Sequence, residues 1–394
     1  KLLSVNAGSS SLKFRVYEMP EEKLLMKGMF ERIGLDGSSY NIRIGEEKIQ
    51  KEVEIPDHKT AVDILLDELL KQNIVSNLNE IEAVGHRVVH GGNFYSHSVK
   101  VTARVLMEVE ELSDLAPLHN PACVMGIKAF LKAIPDAVEV ACFDTAFHQT
   151  MDESTYLYPV PYEWYTKYHV RKYGFHGLSH QYVTNTMQKM LNKEDINLII
   201  CHIGNGASIT AVKDGKCIDT SMGFTPNAGI MMGTRSGDID YSVIEHVMKK
   251  TGMDIHDIDT VLNKESGLLG LTGMSDLRDL DRAFIAQEQK AVLALNMYTD
   301  KIVEYVASYY MKLGHVDAIC FTAGGGENDS IIRGEAIKKL WPIGVKLDEV
   351  KNEETLVRKG LEGIITTDDS SIPVYVVATD EELMIARDTF KVME

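Results

Sequence analysis

Residues 2–17 read Leu-Leu-Ser-Val-Asn-Ala-Gly-Ser-Ser-Ser-Leu-Lys-Phe-Arg-Val-Tyr, and this stretch decides the fold class. Leu2 to Asn6 predicts a strand, Ala7 to Ser11 a tight polar turn, and Leu12 to Tyr17 a returning strand. The product is a hairpin with small polar residues at its tip. The device recurs about half a chain later. Asn197 to His202 predicts a strand, Gly204-Asn205-Gly206-Ala207-Ser208 a glycine-rich turn, and Ile209 to Val212 a second strand, after which Asp214-Gly215 turns into Cys217 to Asp219. Each copy leads into alternating strands and helices: Ala83 to Val89, Val138 to Phe143 and Ala318 to Thr322 predict strands, while Thr60 to Lys71, Ala122 to Ala133 and Ala291 to Leu313 carry helical periodicity. The expectation is an α/β protein of two duplicated domains facing each other across a cleft.

Helix ends fit this spacing. Asn120-Pro121 offers an N-cap and a first-turn proline, and Gly314 stops a helix that ends at Leu313. The predicted strand Val374 to Ala378 feeds Thr379-Asp380-Glu381-Glu382 and a C-terminal helix; Thr379 and Glu382 have capping-box spacing, which gives Glu382 a structural task and leaves Glu381 to point into the cleft. At 394 residues the chain is too long for one comfortable core. A hydrophobic fraction of 44% with 25% charged residues is ordinary for a globular protein and argues against disorder. The formal charge of −17 argues against a nucleic-acid partner, because a phosphate backbone demands a basic face. No run reaches the roughly 18 apolar residues that span a bilayer, and Lys1 to Val5 is too short for a signal peptide's apolar region, so a cytoplasmic protein without a membrane partner is expected. Cysteines 123, 142, 201, 217 and 320 form no CxxC pair, and they suit buried small hydrophobes better than disulfides or a zinc ribbon.

In so acidic a chain, anionic substrates must be drawn by a few arginines and backbone amides concentrated in one place. Phosphate needs N–H groups and hydroxyls presented without obstruction, and Asn6 to Lys13 meets that need with Lys13 on the same strand face as Ser11. A merely flexible hairpin would read the same way. The second glycine-rich hairpin at 204–208, and a third glycine-rich turn, Ala323-Gly324-Gly325-Gly326-Glu327-Asn328, directly after a strand, favour a nucleotide cradle. There is no G-x-x-x-x-G-K-[ST], and Gly324, Gly326 and Asp329 miss G-x-G-x-x-G at its last position, which disfavours P-loop and dinucleotide folds. His176 and His180 are spaced like a metal pair, but no HExxH glutamate accompanies them and Gly177 weakens the helix. His86, His90, His119, His148 and His202 are expected in supporting or core positions, Arg15 and Arg104 as ordinary surface or strand-edge charges, and Met222, Met231 and Met232 as adaptable packing.

Ten blocks carry a resemblance that covers essentially the whole chain: VNAGSSSLKF, GHRVVHGG, PLHNP, FDTAFH, YGFHGLSH, HIGNGAS, DTSMGFTP, MMGTRSGDID, FTAGGGEN and TDEELMIARDT. In this order and spacing the sequence resembles the acetokinase family. The resemblance implies the ribonuclease H-like fold shared by sugar kinases, Hsp70 and actin, with duplicated domains of residues 1–144 plus 382–394 and 145–381. By similarity, Asn6 and Glu381 hold magnesium, with manganese able to stand in, and Lys13 binds ATP phosphates with the turn of His202, Gly204, Asn205 and Gly206. Asp276, Leu277 and Arg278, with Gly324, Gly325, Gly326, Glu327 and Asn328, hold the adenosine. Arg87 takes the acetate carboxylate, Arg235 and His176 the phosphoryl group in flight, and Asp144 orients the catalytic charges; Val89, Leu118, Phe175 and Pro226 surround the acetate methyl group. His119 falls near the phosphoryl group on the same grounds, and a homodimer is implied by the family alone. The chain departs from the common pattern at Leu178, where threonine is expected, and at Gly325, where isoleucine is expected.

The implied reaction is reversible transfer of the γ-phosphoryl group of ATP to acetate, giving acetyl phosphate and ADP. Acetate is already ionised at neutral pH, so the barrier is the approach of one anion to another and cations must do most of the work. Asp144 is therefore expected to orient an arginine or a metal-bound water. A propionate or other short-chain carboxylate kinase is the nearest rival. A nucleotide-gated binding module of the Hsp70 or actin type is the rival of another class, and it has no reason to keep Arg87, His176 and Arg235 together.

Overall fold

A computed structural model of the chain describes residues 1–117 and 119–394. They divide into two compact units, residues 1–149 with 380–394 and residues 150–379.

The first unit holds β1 (Leu2–Ala7), β2 (Ser11–Glu18), β3 (Lys23–Glu31), β4 (Ser39–Ile44), β5 (Glu47–Glu52), β6 (Ala83–Val88), β7 (Val99–Lys100) and β8 (Val138–Phe143), in the sheet order β5-β4-β3-β2-β1-β6-β8-β7. β1 runs antiparallel to β2 and parallel to β6, and β6 runs parallel to β8. One core packs Leu3, Val5, Phe14, Val16, Met26 and Phe30 of the sheet against Val62, Leu65 and Leu69 of the helix His58–Lys71 and Phe130 of the helix Asn120–Ala133. The helix Glu381–Met393 packs on β1, β6 and β8. Its close approach depends on Gly85 in β6, where a Cβ would lie 2.0 Å from Thr389 Oγ1 and 2.6 Å from Ile385 Cγ2.

The second unit holds β9 (Leu198–Ile203), β10 (Ala207–Lys213), β11 (Lys216–Thr220), β12 (Ala318–Thr322), β13 (Gly363–Ile364) and β14 (Val374–Val376), in the order β11-β10-β9-β12-β14-β13. Three antiparallel strands, two parallel partners and a short antiparallel edge repeat the series β3-β2-β1-β6-β8-β7, to which the first unit adds β4 and β5. The duplication is therefore one of topology. β9 and β12 are buried along their whole length, as parallel strands covered on both faces must be. The helix Gln289–Leu313 ends at Gly314, whose φ of 71° needs no Cβ clearance.

Four local expectations are corrected. Asn120 is the first residue of its helix, not its cap, and its buried side chain instead bonds His90 N, His90 O and Val109 O. The C-terminal helix is capped by Asp380, which accepts from Leu383 N, so the Thr379–Glu382 capping box does not set its start. Ala323–Asn328 is a short helix, not a turn. Arg15 is neither a surface nor a strand-edge charge: β2 is paired on both sides, and Arg15 Nη1 reaches Asp380 Oδ2 at 2.5 Å and its Nη2 Glu382 Oε2 at 3.1 Å. All five cysteines are buried and none is in a disulfide, as expected. Among the described residues no helix is long and apolar enough to cross a membrane.

Candidate active site

Open α/β sheets present ligands at the carboxyl ends of their strands, where Asn6, Arg87 and Asp144 of the first unit and the glycine-rich segments at 204–206 and 324–326 of the second sit. In the first unit Asn6 lies near the end of β1, Arg87 near the end of β6, and Asp144 directly after β8. Arg87 Nε donates to Asp144 Oδ1 at 3.1 Å and Oδ2 at 3.0 Å, and Nη2 donates to Oδ2 as well. The Asp144 side chain is 1% exposed and that of Arg87 21%, so a buried carboxylate anchors a guanidinium that keeps some exposure. Asp144 N bonds Val88 O at 3.0 Å, which ties the anchor to the strand that carries Arg87. Burial pulls the Arg87 guanidinium down, and the charges of Asp144 and Glu381 more than reverse it.

Glu381 opens the C-terminal helix of the same unit. Its burial pushes the carboxyl upward, against the pull of Arg87 and with reinforcement from Asp144 and Glu382. A carboxyl in that condition gains from an arriving cation. Among the described residues no cluster of three or more His, Cys, Asp or Glu is placed to cage a metal. Magnesium asks for less: one or two protein oxygens, with water and substrate phosphate completing the shell, and Asn6 with Glu381 fits that donor set. Lys13, expected on ATP phosphates, is paired with Glu382.

In the second unit His176 precedes the helix Gly177–Leu191 with φ 57°, a left-handed backbone unusual outside glycine and frequent at functional positions. Its Nδ1 lies 3.0 Å from Ser208 Oγ, the same hydroxyl that meets His180 Nε2 at 2.8 Å, and its ring stacks on His202 with centroids 4.1 Å apart. His202 Nδ1 is in turn 2.8 Å from Ser179 Oγ. His180, Ser208 and His202 thus orient His176 and turn its Nε2 toward Gly206. A Cβ on Gly206 would stand 3.4 Å from His176 Nε2 and 3.4 Å from Arg235 Nη1, so both groups border one small space.

Arg235 Nη1 donates to Pro226 O at 3.0 Å and contacts Met232 Sδ at 3.6 Å. Among the described residues no carboxylate pairs with it, and burial lowers its guanidinium below the ordinary value. Gly267 makes room for its loop: a Cβ there would lie 2.1 Å from Met232 O and 2.6 Å from Arg235 O. Phe175, directly before His176, is buried, and Val89 of the first unit is half-buried. Leu118 lies outside the described residues.

A cavity of about 1160 Å³ in the second unit joins Gly204, Asn205, Asp276, Leu277, Arg278, Gly324, Gly325 and Asn328, all expected, with Ser275, Asp279, Asp281, Arg282, Asp329 and Arg358, which were not. This volume leaves ample room for a nucleoside. His202, Gly206, Gly326 and Glu327 do not line it. Gly326 O accepts from Arg333 Nη1, and Glu327 Oε1 accepts from Ala323 N and Thr379 N, so both hold the short helix in place. A Cβ on Gly325 would come within 2.7 Å of Leu277 Cδ1 and 2.9 Å of Ile203 O; Leu277 and Ile203 fill the space that an isoleucine would have taken.

A model of the acetokinase family matches residues 1–387. The chain belongs to the acetokinase family. It is 51% identical over 394 residues to the acetate kinase of Geobacillus kaustophilus, covering 99% of this chain and 98% of that one. Among solved structures, acetate kinase from Porphyromonas gingivalis superposes with a TM-score of 0.94 at 42% identity over 100% of both chains. A propionate kinase from Francisella tularensis does so with a TM-score of 0.94 at 40% identity over 99% of both. This acetokinase therefore has the two-domain actin-like fold and the activity of its family, transfer of a phosphoryl group to a carboxylate, with acetate ahead of propionate as acceptor on the closer likeness.

Proposed function

We propose that this acetokinase moves the terminal phosphoryl group of ATP onto acetate in a single in-line step, in either direction, with Arg87, Asp144, His176 and Arg235 as its working groups. The acceptor is already an anion, so no base is required, and the catalytic demand is to gather positive charge without losing it to protein carboxylates. Arg87, held in place by Asp144, offers donors to the acetate carboxylate. Arg235 and His176 offer donors to the equatorial oxygens of the phosphoryl group, where charge develops. The glycine-rich turn at 204–206 leaves room for phosphate, and Lys13 reaches the phosphates on leaving Glu382. Asp276 to Arg278 and Gly324 to Asn328 are assigned to adenosine, Gly326 and Glu327 through the short helix they secure. Val89, Leu118, Phe175 and Pro226 are assigned to the methyl group of acetate. Magnesium, or manganese in its place, would be held by Asn6 and Glu381 and would neutralise the β- and γ-oxygens. The family likeness supports a homodimer working in the cytoplasm.

The observation that carries this assignment is Arg235: a half-buried guanidinium that no carboxylate among the described residues pairs with, sharing the space before Gly206 with His176. The likeness to a propionate kinase supports a second acceptor, and one methylene in an apolar pocket is worth only about 1–3 kcal/mol, so propionate is expected to be a poorer substrate. Incubation with ATP, Mg²⁺, hydroxylamine and each of acetate, propionate and butyrate tests all of this, because an acyl phosphate is trapped as a coloured hydroxamate. No product with any acid would end the assignment.

A further inference from the structure

The cavity assigned to the nucleoside carries two carboxyls that phosphoryl transfer does not use. Asp281 stands one turn after Leu277 in the helix Leu277–Ile285, and Asp329 caps the helix Ser330–Lys338. Asp329 Oδ1 accepts from Ile331 N and Ile332 N, both at 3.0 Å. Asp329 Oδ2 and Asp281 Oδ1 are buried without a hydrogen-bond donor, although Asp329 is only 7% exposed and both residues line the cavity. The two carboxyls lie close enough to hydrogen-bond once one of them is protonated. Two unsatisfied, mutually repelling oxygens in one wall are costly to a folded chain, and a proton between them with a donor from a ligand removes both costs.

The charge of Arg333 pulls the Asp329 carboxyl downward, but among the described residues no cation forms an ion pair with either carboxyl. On the same helix Arg278 is engaged by Asp276 and Arg282 by Asp279. Arg333, on the helix that Asp329 caps, spends its donors on Asn352, Gly326 O and Thr355 O. Tyr298 approaches Asp329 from the helix Gln289–Leu313, and Arg358 stands elsewhere on the cavity wall. Burial and the charge of Asp329 push the Asp281 carboxyl up to about 7; burial also pushes Asp329 up, against the N–H groups of Ile332 and Ile331.

We propose that Asp281 and Asp329 hold one proton between them and present the nucleoside with a hydrogen-bond acceptor, so that nucleotide binding takes up a proton. This rests on the nucleotide assignment of the cavity. The sign follows from two competing effects. A nucleoside that fills the cavity strips water from the pair, and a second negative charge loses far more by that than a hydrogen bond to a charged rather than a neutral acceptor returns. The protonated pair binds better, and affinity falls as pH rises through neutrality. The donor is either the exocyclic amine of adenine or a ribose hydroxyl.

Titration calorimetry of ADP, in two buffers of different ionisation heat from pH about 6 to 9, measures the linkage. The unaltered chain is expected to take up a fraction of a proton per ADP above neutrality and to bind more weakly with rising pH, by at most about tenfold per unit. Asp281→Asn lacks the titrating group, and Asp329→Asn keeps a capping oxygen for the helix. In both, the proton uptake is expected to vanish; titration of the ADP phosphates is common to every form and cancels in the comparison. Either 2′-deoxy-ADP or the diphosphate of purine riboside, which lacks the amine, is expected to bind about tenfold or more weakly, and the weaker one names the donor. Identical pH profiles for the unaltered chain and Asp281→Asn, or two analogues that bind like ADP, would overturn the pair's role while leaving the nucleotide assignment standing. A chain that binds no ADP would overturn both.

Discussion

Arg87 and Arg235 are assigned to the same chemistry, yet their surroundings differ in kind. Arg87 sits in a regular strand, and its guanidinium is held by a carboxylate directly after the next strand of the sheet. Arg235 sits on a loop shaped by glycines and touches a carbonyl and a thioether, with burial lowering its guanidinium. A compensated cation is well positioned but weak at long range, which suits a ground-state carboxylate that must bind and leave. An uncompensated cation costs the folded state, and keeps its field for charge that appears only in the transition state.

The largest expected effect follows from that difference. Arg235→Ala should lower kcat for hydroxamate formation about 10³-fold or more, in the range that arginine donors supply to phosphoryl transfer. Because the charge has no carboxylate to strand, the melting temperature should stay the same or rise. A loss of stability as large as the loss at Asp144 would break the contrast.

Asp144→Asn probes the other side. It keeps the shape but removes the charge that orients Arg87, and a misplaced guanidinium should cost about 10²-fold in kcat/KM for acetate, with most of the loss in KM. Stability should fall by about 1–3 kcal/mol, since the partly buried guanidinium loses its counter-charge. A pH-rate profile whose acidic limb shifts with no drop in the plateau would point to proton transfer and sink the positioning role.

Gly206→Ala sharpens the Arg235 side. The added Cβ enters the space bordered by His176 Nε2 and Arg235 Nη1, while φ at this residue lies outside the left-handed region that favours glycine. Turnover should fall about tenfold, with stability moved by no more than about 0.5 kcal/mol. Unchanged turnover would remove that space from the chemistry.

The strands of both duplicated series were legible wherever apolar runs were dense. β3, β4 and β5 were not read in the sequence, because Lys23–Glu31 carries lysines and a glycine at its centre, while Ser39–Ile44 and Glu47–Glu52 are polar edge segments whose extended form comes from pairing with β2 and with each other. The glycines of Ala323–Asn328 are poor helix formers, and that helix owes its shape to Glu327 receiving two backbone N–H groups. Arg15 read as a surface charge because its partner Asp380 stands 365 residues away, where no local signal reaches. Site residues in glycine-rich blocks stood out. Asp281 and Asp329 did not, since a carboxylate in a helix or at a cap has an ordinary structural explanation until burial is known.

Val89 tests whether the Arg87 side also sets acceptor length, and its effect should be the smallest. The residue follows β6 directly after Val88, is half-buried, and packs against the cluster of Val88, Val109, Cys123, Val124, Ile127 and Phe143. Trimming it to alanine removes two methyl groups, so the structural cost should be about 1 kcal/mol. If those methyl groups also bound the space beside the acid that Arg87 holds, propionate should gain on acetate in kcat/KM by about tenfold, the worth of one accommodated methylene. The same substitution should leave the KM for ATP unchanged, because the nucleoside cavity belongs to the other unit. A stability loss without any change in the propionate-to-acetate ratio would make Val89 a core residue only and move the control of acceptor length to Phe175 or Pro226.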